Sequence, residues 1–381
     1  MRIVIAGAGI FGVTAALELR RRGHEVVLCD AGAVPHPHAE STDVSKVVRM
    51  DYADDFYVDL MIETMRGWDA WNASWEEPLY HEVGFLILSL EEMRPGGFEY
   101  EAWHRLVRRG YAPERITAAT LAERFPAWSE GGFCDGYLNP RAGWAESGRV
   151  VARLAAEARA AGVDVREGTG IAGISSDRGR VDGVATAAGE KIAADLVLVA
   201  AGAWTPLLVP RLKDCFWATA QPVLHFRAED PALFVPPRFP VWAAGISGEG
   251  WYGFPAIEGG IVKVANHGVG RPSHPNDSRR ATPADEEVFR TFLRRSLPAL
   301  AGAPLVESRL CLYSDTWDGD FYIDHDPDCA GLVVAAGGSG HGFKFAPSLG
   351  AIIADVVERR PNRWAERFRW RARGAHQAQR R

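Results

Sequence analysis

Residues 3–6 form an uninterrupted apolar run. After Gly12 the spacing becomes helical, with Val13, Ala16, Leu17 and Leu19 on one stripe. Gly23 closes that helix, and residues 24–29 read as a second apolar strand. The same switch from strand to glycine turn recurs twice. Residues 195–201 form a buried strand that ends in Gly202-Ala203-Trp204. Residues 331–336 form another, which breaks into Gly337-Gly338-Ser339-Gly340-His341-Gly342 before a helical pattern over 352–357. Three such turns spread along the chain predict one parallel sheet assembled from distant segments. A helix over 148–161, a strand over 163–166 and a hairpin over 171–176 and 180–187 lie between the first two.

Two stretches differ in character. Residues 81–145 hold Gly84-Phe85-Leu86-Ile87-Leu88 and helical patterns near 103–109 and 120–125. Residues 216–319 are rich in strand patterns and aromatics, including Trp217, Trp242, Trp251, Tyr252, Phe254 and Trp317. The expected fold class is therefore α/β, a discontinuous Rossmann-like nucleotide domain with an inserted mixed, largely antiparallel substrate domain. The expected boundaries are 1–80, 146–215 and 320–360 for the first, 81–145 and 216–319 for the second, and 361–381 for a solvated basic tail. The proline-rich loop 268–283 reads as an exposed connection.

Composition narrows the class. The chain has 381 residues, 47% of them hydrophobic and 24% charged, as in a globular enzyme. A net charge of −6 argues against a nucleic-acid surface. No apolar stretch reaches the roughly 18 residues of a membrane span, and a strand opens the chain where a signal peptide would stand. Five cysteines (29, 134, 215, 311 and 329) without a CxxC pair predict neither disulfides nor zinc, and a cytoplasmic location. His36 and His38, set among prolines, fit a flexible loop better than a metal site, and no metal is expected. A monomer or small homo-oligomer is expected.

The N-terminal run carries a dinucleotide fingerprint. Gly7 makes the turn, Gly9 lets backbone approach a pyrophosphate, Gly12 allows helix–strand packing, and Asp30 sits where a ribose hydroxyl would bind. The second glycine loop, at 337–342, is unnecessary for a nicotinamide enzyme. A flavin must be held at its far end, and a loop with a helix N-terminus does that. Lys263 stands among Ile261, Val262 and Val264 on a probable core strand, where it either faces outward or serves a purpose inside.

Four segments give the chain its family likeness: Gly7-Ala8-Gly9-Ile10-Phe11-Gly12 with Asp30; Ser45-Lys46-Val47-Val48-Arg49; Arg309-Leu310-Cys311-Leu312-Tyr313-Ser314-Asp315-Thr316; and Gly338-Ser339-Gly340-His341-Gly342-Phe343-Lys344. With them the chain resembles, over residues 3–357, the D-amino-acid-oxidase-like FAD flavoproteins, in their monomeric sarcosine oxidase branch. The resemblance implies that Gly7, Gly9, Ile10, Phe11, Gly12 and Asp30 bind the adenosine and pyrophosphate of FAD, with Gly202 at the second turn. It implies that Ser45 and Lys46 lie along the flavin, that Cys311 bonds it covalently, and that Gly338, Gly340, His341, Gly342, Phe343 and Lys344 form the flavin-side loop. It further implies Arg49 and Lys344 as a carboxylate clamp, Tyr252 as a pocket wall, Lys263 as an oxygen-activating cation and His267 near the amine. His341 is expected to be a supporting hydrogen-bonder.

One departure matters. Lys46 stands where sarcosine-type oxidases usually carry arginine, and the segment is closer to fructosyl-amino-acid and saccharopine oxidases. That favours a bulkier N-substituted amino acid, with Trp242, Trp251 and Trp317 as possible walls or as core. The expected function is oxidation of a secondary amine or N-substituted amino acid to an imine, with O2 reduced to H2O2. The alternatives are a dehydrogenase of the same fold, a D-amino-acid oxidase and a flavin-binding module without turnover.

Overall fold

The computed structural model describes residues 1–376. Its first sheet has six strands in the order Tyr322–His325, Leu332–Ala336, Leu196–Val199, Arg2–Ala6, Glu25–Cys29 and Asp164–Arg166. All neighbours run parallel except the first pair, which is antiparallel. Gly7, Gly202 and Gly337 thus follow the carboxyl ends of three adjacent strands and open on one edge of the sheet. Open α/β sheets bind ligands along that edge. Alternation along the strands sorts the two faces. Ile3, Ile5, Leu198 and Val333 pack with the helices Ile10–Arg21, Ser147–Ala160 and Ala346–Val357. Val4, Val197, Val199 and Val334 pack with Val181, Val184 and Ile192 of the hairpin sheet.

The C-terminal helix starts at Ala346, earlier than the apolar periodicity indicates, because Pro347 fits its first turn. The longest helix, Asp55–Ser74, is absent from the sequence reading. Asp54 caps it by accepting from the Phe56 N–H at 2.9 Å, and it buries Tyr57, Leu60, Met61, Met65 and Trp68.

Segments from both aromatic-rich stretches join a second, nine-stranded sheet. Its path runs Arg271–Ser273, Phe216–Arg227, Ile261–Asn266, Trp251–Gly253, Val241–Ala244, Phe85–Ser89, Asp135–Asn139 and Glu114–Arg115, with Leu305–Thr316 also paired to Phe216–Arg227. Only the pair Val241–Ala244 and Phe85–Ser89 is parallel. Leu224, Phe226, Val262 and Val264 face a core shared with the helix Pro283–Ser296, another element the strand-rich pattern of this region conceals. Intervening residues, among them Val223, Lys263, Ala265, Cys311 and Tyr313, project to the other face.

The basic tail is not a solvated end through the described residues. Trp364 and Phe368 are buried, and Phe368 stacks on Phe321 at 4.9 Å. Arg367 pairs with Asp320, and with Asp54 at 2.9 Å. Arg371 pairs with Asp318 at 2.6 Å and lies 3.9 Å over the Tyr322 ring. The aromatic residues between the arginines supply the apolar anchor that a charge count overlooks. Residues 377–381, with Arg380 and Arg381, lie outside the described residues.

Trp242 and Trp251 belong to the second core. The Phe292 ring stacks on both, at 5.9 and 4.3 Å. Phe292→Ala should therefore destabilise the protein by about 3–5 kcal/mol. Urea unfolding followed by tryptophan fluorescence measures this, and a loss below about 1 kcal/mol would contradict the packing.

Candidate functional site

The first half of the site is a long cavity of about 620 Å³ along the open edge of the parallel sheet. Gly7, Gly9, Phe11, Asp30, Gly202, Gly337, Gly338, Gly340, Gly342 and Phe343 all line it. Gly7 has φ +104°, and a Cβ on Gly12 would lie 1.9 Å from the Gly7 carbonyl oxygen. Strand and helix are therefore in backbone contact. The helix beginning at Ile10 has no side-chain cap on Gly9 and no acid in its first turn. An unscreened helix N-terminus facing a cavity suits an anionic group. Asp30 lines the cavity while its carboxylate accepts from the Ala8 N–H at 2.8 Å and the Gly32 N–H at 3.1 Å.

Several residues here carry no sequence flag. Ser41 Oγ accepts from the Ile10 N–H at 2.9 Å. Glu40 accepts from the N–H groups of Ser314 and Gly340. The loop expected to be an exposed connection places Pro275, Asn276 and Asp277 on the cavity wall, and Trp204 donates to Asn276 at 2.7 Å. His36 also lines the cavity, edge-on to Trp204. Among the described residues no group of three or more His, Cys, Asp or Glu could hold a metal ion, and no helix is long and apolar enough to cross a membrane.

Lys46, Gly340 and Phe343 line both this cavity and a second, smaller one of about 80 Å³. Around Lys46 lies a dense charge cluster. Lys46 Nζ is 3.8 Å from Cys311 Sγ and 3.8 Å from Asp43. Burial works against its charge, but the negative charge available at Cys311 and at Asp43 holds its pKa above the usual lysine value. Lys263 donates to Asp43 Oδ2 at 2.7 Å and to the Ser45 carbonyl at 2.6 Å, and its ammonium lies 4.5 Å over the Phe254 ring. Burial pushes Lys263 down to about 8 in spite of Asp43. Burial alone would raise the Asp43 carboxyl, yet Lys263, Lys46 and Arg309 hold it well below the ordinary range.

The far wall of the small cavity carries Arg49 and Lys344. The Arg49 guanidinium lies over Tyr52 at 4.8 Å and Phe85 at 5.6 Å, and its buried Nη1 has no hydrogen-bond partner. Lys344 Nζ donates to Tyr52 OH at 3.0 Å and to the His341 carbonyl at 3.1 Å. His341 Nε2 faces the Gly319 carbonyl at 3.0 Å, so it donates there, and Nδ1 accepts from Tyr52 OH at 3.1 Å. His341 thus supports Lys344 through Tyr52. On the opposite side Tyr252 and His267 both contact Tyr313 OH, at 3.3 and 3.2 Å. Burial pushes Tyr252 up to about 12 although Lys46 opposes it. The remaining walls are Phe85, Ile87, Phe98, Ala243, Ile246 and Phe254. Trp242, Trp251 and Trp317 do not line the pocket; the first two are core and Trp317 donates to Tyr322 OH at 3.0 Å.

Most of the predicted residues line two adjoining cavities; Gly12, packed on the Gly7 carbonyl, and the buried Cys311 line neither. Those missed are Asp43, Tyr52 and Tyr313, each one to three residues from a predicted neighbour. Tyr313 shares a strand face with Cys311, a period-2 signal that could have found it.

A family model for FAD dependent oxidoreductases matches residues 2–356. N-methyl-L-tryptophan oxidase of Salmonella arizonae is 29% identical over 370 residues, 94% of this chain and 95% of its own length. Monomeric sarcosine oxidase of Bacillus sp. is 26% identical over 363 residues, 93% and 91% of the two chains. Among solved structures, fructosamine oxidase (Amadoriase II) of Aspergillus fumigatus superposes with a TM-score of 0.80 at 27% identity, covering 97% of this chain and 89% of its own. Fructosyl peptide oxidase of E. terrenum shares the fold at a TM-score of 0.83 and 23% identity, covering 98% and 93%.

Asp43→Asn would strip Lys263 of its carboxylate, and the lysine pKa would fall below about 8. A lysine whose folded pKa lies below its unfolded value of about 10.4 binds fewer protons folded than unfolded, so stability rises with pH between the two. The variant should lose roughly 3–5 kcal/mol at low pH, and the deficit should shrink as pH climbs toward about 9. Thermal melts across that range check this; a deficit independent of pH would contradict the ion pair.

Proposed function

The chain belongs to the FAD dependent oxidoreductase family, and from that premise we propose that it is an amine oxidase acting on a small N-substituted amino acid. The observation that carries this reading is Arg49, a buried guanidinium with an idle nitrogen at the wall of a pocket that adjoins the dinucleotide cavity. A buried, incompletely bonded cation costs stability unless a ligand carboxylate completes it. FAD fits the larger cavity: the uncapped helix at Gly9 suits its pyrophosphate, Asp30 its ribose, and the 337–344 loop its flavin end. Cys311 is proposed as its covalent anchor, a reading supported by the proximity of its Sγ to Lys46 Nζ, 3.8 Å, at the junction of the two cavities. When bound, FAD accepts a hydride from the substrate and passes the electron pair to dioxygen.

The residues of the chain do the rest. Arg49 binds the substrate carboxylate bidentately and Lys344, steadied by Tyr52 and His341, adds a point charge. The cations Arg49, Lys344, Lys46 and Lys263 disfavour an ammonium beside them, so the amine is bound neutral, with its lone pair free to assist loss of the adjacent hydrogen. Phe85, Phe98 and Phe254 exclude water. Tyr252 and His267, joined through Tyr313, face the amine. Lys263 is a fixed cation where negative charge develops on dioxygen. At ~10–15 Å³ per water position, the small cavity of about 80 Å³ is compact, with room for only a handful of waters. That supports a substrate of the size of an N-methylated glycine or alanine over the bulkier amine that Lys46 suggests. The scattered, unpaired cysteines support a cytoplasmic location.

With such a substrate the protein should consume oxygen and release H2O2. Lys263→Met should lower oxygen uptake by about 100-fold while anaerobic substrate oxidation stays within a few fold. Equal losses in both would remove Lys263 from the oxygen step. As Lys263 discharges near pH 8, uptake by the parent enzyme should decline above that value. Acid-precipitated protein should keep its yellow colour, and Cys311→Ala should release it; free colour in the parent would exclude covalent attachment.

A further inference from the structure

Three titratable residues stand in one row across neighbouring strands of the substrate sheet. Lys263 is paired with His225, and His225 with Glu307. Directly opposed residues in antiparallel strands project to the same face, with Cβ atoms about 4.5–5.5 Å apart. The row begins at a buried ammonium on the pocket wall, crosses a buried imidazole and ends at an exposed carboxylate.

His225 is the unusual member. It is 2% exposed, and neither Nδ1 nor Nε2 makes a well-formed hydrogen bond among the described residues, although the Glu307 backbone lies close enough to favour the charged ring. An apolar side chain of similar size would avoid the cost of two idle polar atoms. Two more buried, unpartnered groups, Thr42 Oγ1 and Ser45 Oγ, lie on the segment that covers the row. The carbonyls of those same residues accept from Arg309 and Lys263. The charged groups facing His225 are Lys263 from one neighbouring strand, Arg309 and Glu307 from the other, and Asp43 from the covering segment. Burial, with Lys263 adding to it, pushes the ring down to about 4, so it is neutral at working pH. A neutral imidazole accepts at one nitrogen and donates at the other, and can pass a proton without carrying a charge.

We propose that His225 is the positioning residue of a proton path that recharges Lys263 from solvent at Glu307. The proposal rests on Lys263 acting beside dioxygen. Reduction of dioxygen to hydrogen peroxide takes up two electrons and two protons. Both electrons and one proton derive from the hydride removed from the substrate. The second proton leaves Lys263 Nζ. The neutral amine then takes a proton from the N–H of His225, while the other ring nitrogen takes one from a water beside Glu307, and the hydroxide left there is neutralised by buffer acid in bulk solvent. One solvent proton has entered, and His225 is again neutral with its proton on the opposite nitrogen; a ring flip restores the first tautomer. The proposed path includes a bridging water on the unpartnered hydroxyls of Thr42 and Ser45 wherever a gap exceeds a hydrogen bond.

The test compares His225→Leu, His225→Asn and Glu307→Gln with the parent holoenzyme. His225→Leu should slow oxygen uptake about tenfold and raise its solvent deuterium isotope effect, with anaerobic substrate oxidation changed less than twofold. His225→Asn, which keeps a donor and an acceptor, should recover most of the rate. Glu307→Gln alters only an exposed side chain, and its slower uptake should be relieved by concentrated buffer. In the cofactor-free protein, nitrogen-15 NMR of labelled histidine should show a neutral His225 ring at neutral pH, with N–H exchange slowed by Glu307→Gln. If the parent reduces oxygen while His225→Leu leaves the rate and isotope effect unchanged, or if the ring is charged at neutral pH, the path is overturned and the oxidase assignment stands. If the parent takes up no oxygen with any N-methyl amino acid, the oxidase assignment falls and the path with it.

Discussion

The buried ion pair between Lys263 and Asp43 is the constraint on which the site depends. Both side chains are 2% exposed, so neither charge is solvated and each is tolerated only because of the other. The pair does more than neutralise charge. Asp43 lies on the segment that leaves the nucleotide half of the chain, and Lys263 on a central strand of the substrate sheet. Their contact, with the Ser45 carbonyl as a second acceptor, fixes the distance between the two halves where the cavities meet. Lys46, on the same segment, is thereby held against Cys311, and Arg49, three residues further, against its aromatic bed.

A single short run, residues 40–52, therefore serves both cavities. Glu40 and Ser41 brace the glycine turns, Asp43 and Lys46 occupy the junction, and Arg49 and Tyr52 make the far wall of the pocket. Tyr52 joins the two cations there: its ring lies under Arg49 while its hydroxyl connects Lys344 to His341. Aromatic and hydroxyl contacts of this kind help two positive side chains stand near one another.

The parallel sheet was readable from sequence because its strands are continuous apolar runs ending in glycine, a pattern that few alternatives share. The helix Asp55–Ser74 was not, since its buried residues are interleaved with Asp59, Glu63 and Asp69 and resemble no clean stripe. The helix Pro283–Ser296 was hidden by its many charged residues, although Thr282 and Asp285 form a capping box. Within the site, Lys263 stood out by itself as a lysine in an apolar strand, whereas Arg49, Cys311 and Lys344 were marked only by the family resemblance of their segments. Asp43, Tyr52 and His225 did not stand out, because what gives each its place is a partner from a remote segment. His225 shows why: period-2 alternation assigns it a face, but only strand register puts it opposite Lys263.

The order of strands in the first sheet bears on how the protein is made. Arg2–Ala6 is flanked by Glu25–Cys29 on one side and Leu196–Val199 on the other, with Leu332–Ala336 beyond. During translation the fingerprint helix is made well before the glycine loop that faces it, residues 337–342. At roughly 5–20 residues per second, the nascent chain carries an open, apolar sheet edge for some tens of seconds before its remaining strands arrive. Only when Phe368 has also cleared the ribosome is the packing around Phe321, already lined by Phe11, Tyr57 and Phe345, complete. The cavity is therefore complete only once the residues 337–343 that line it have been made, long after the fingerprint turn.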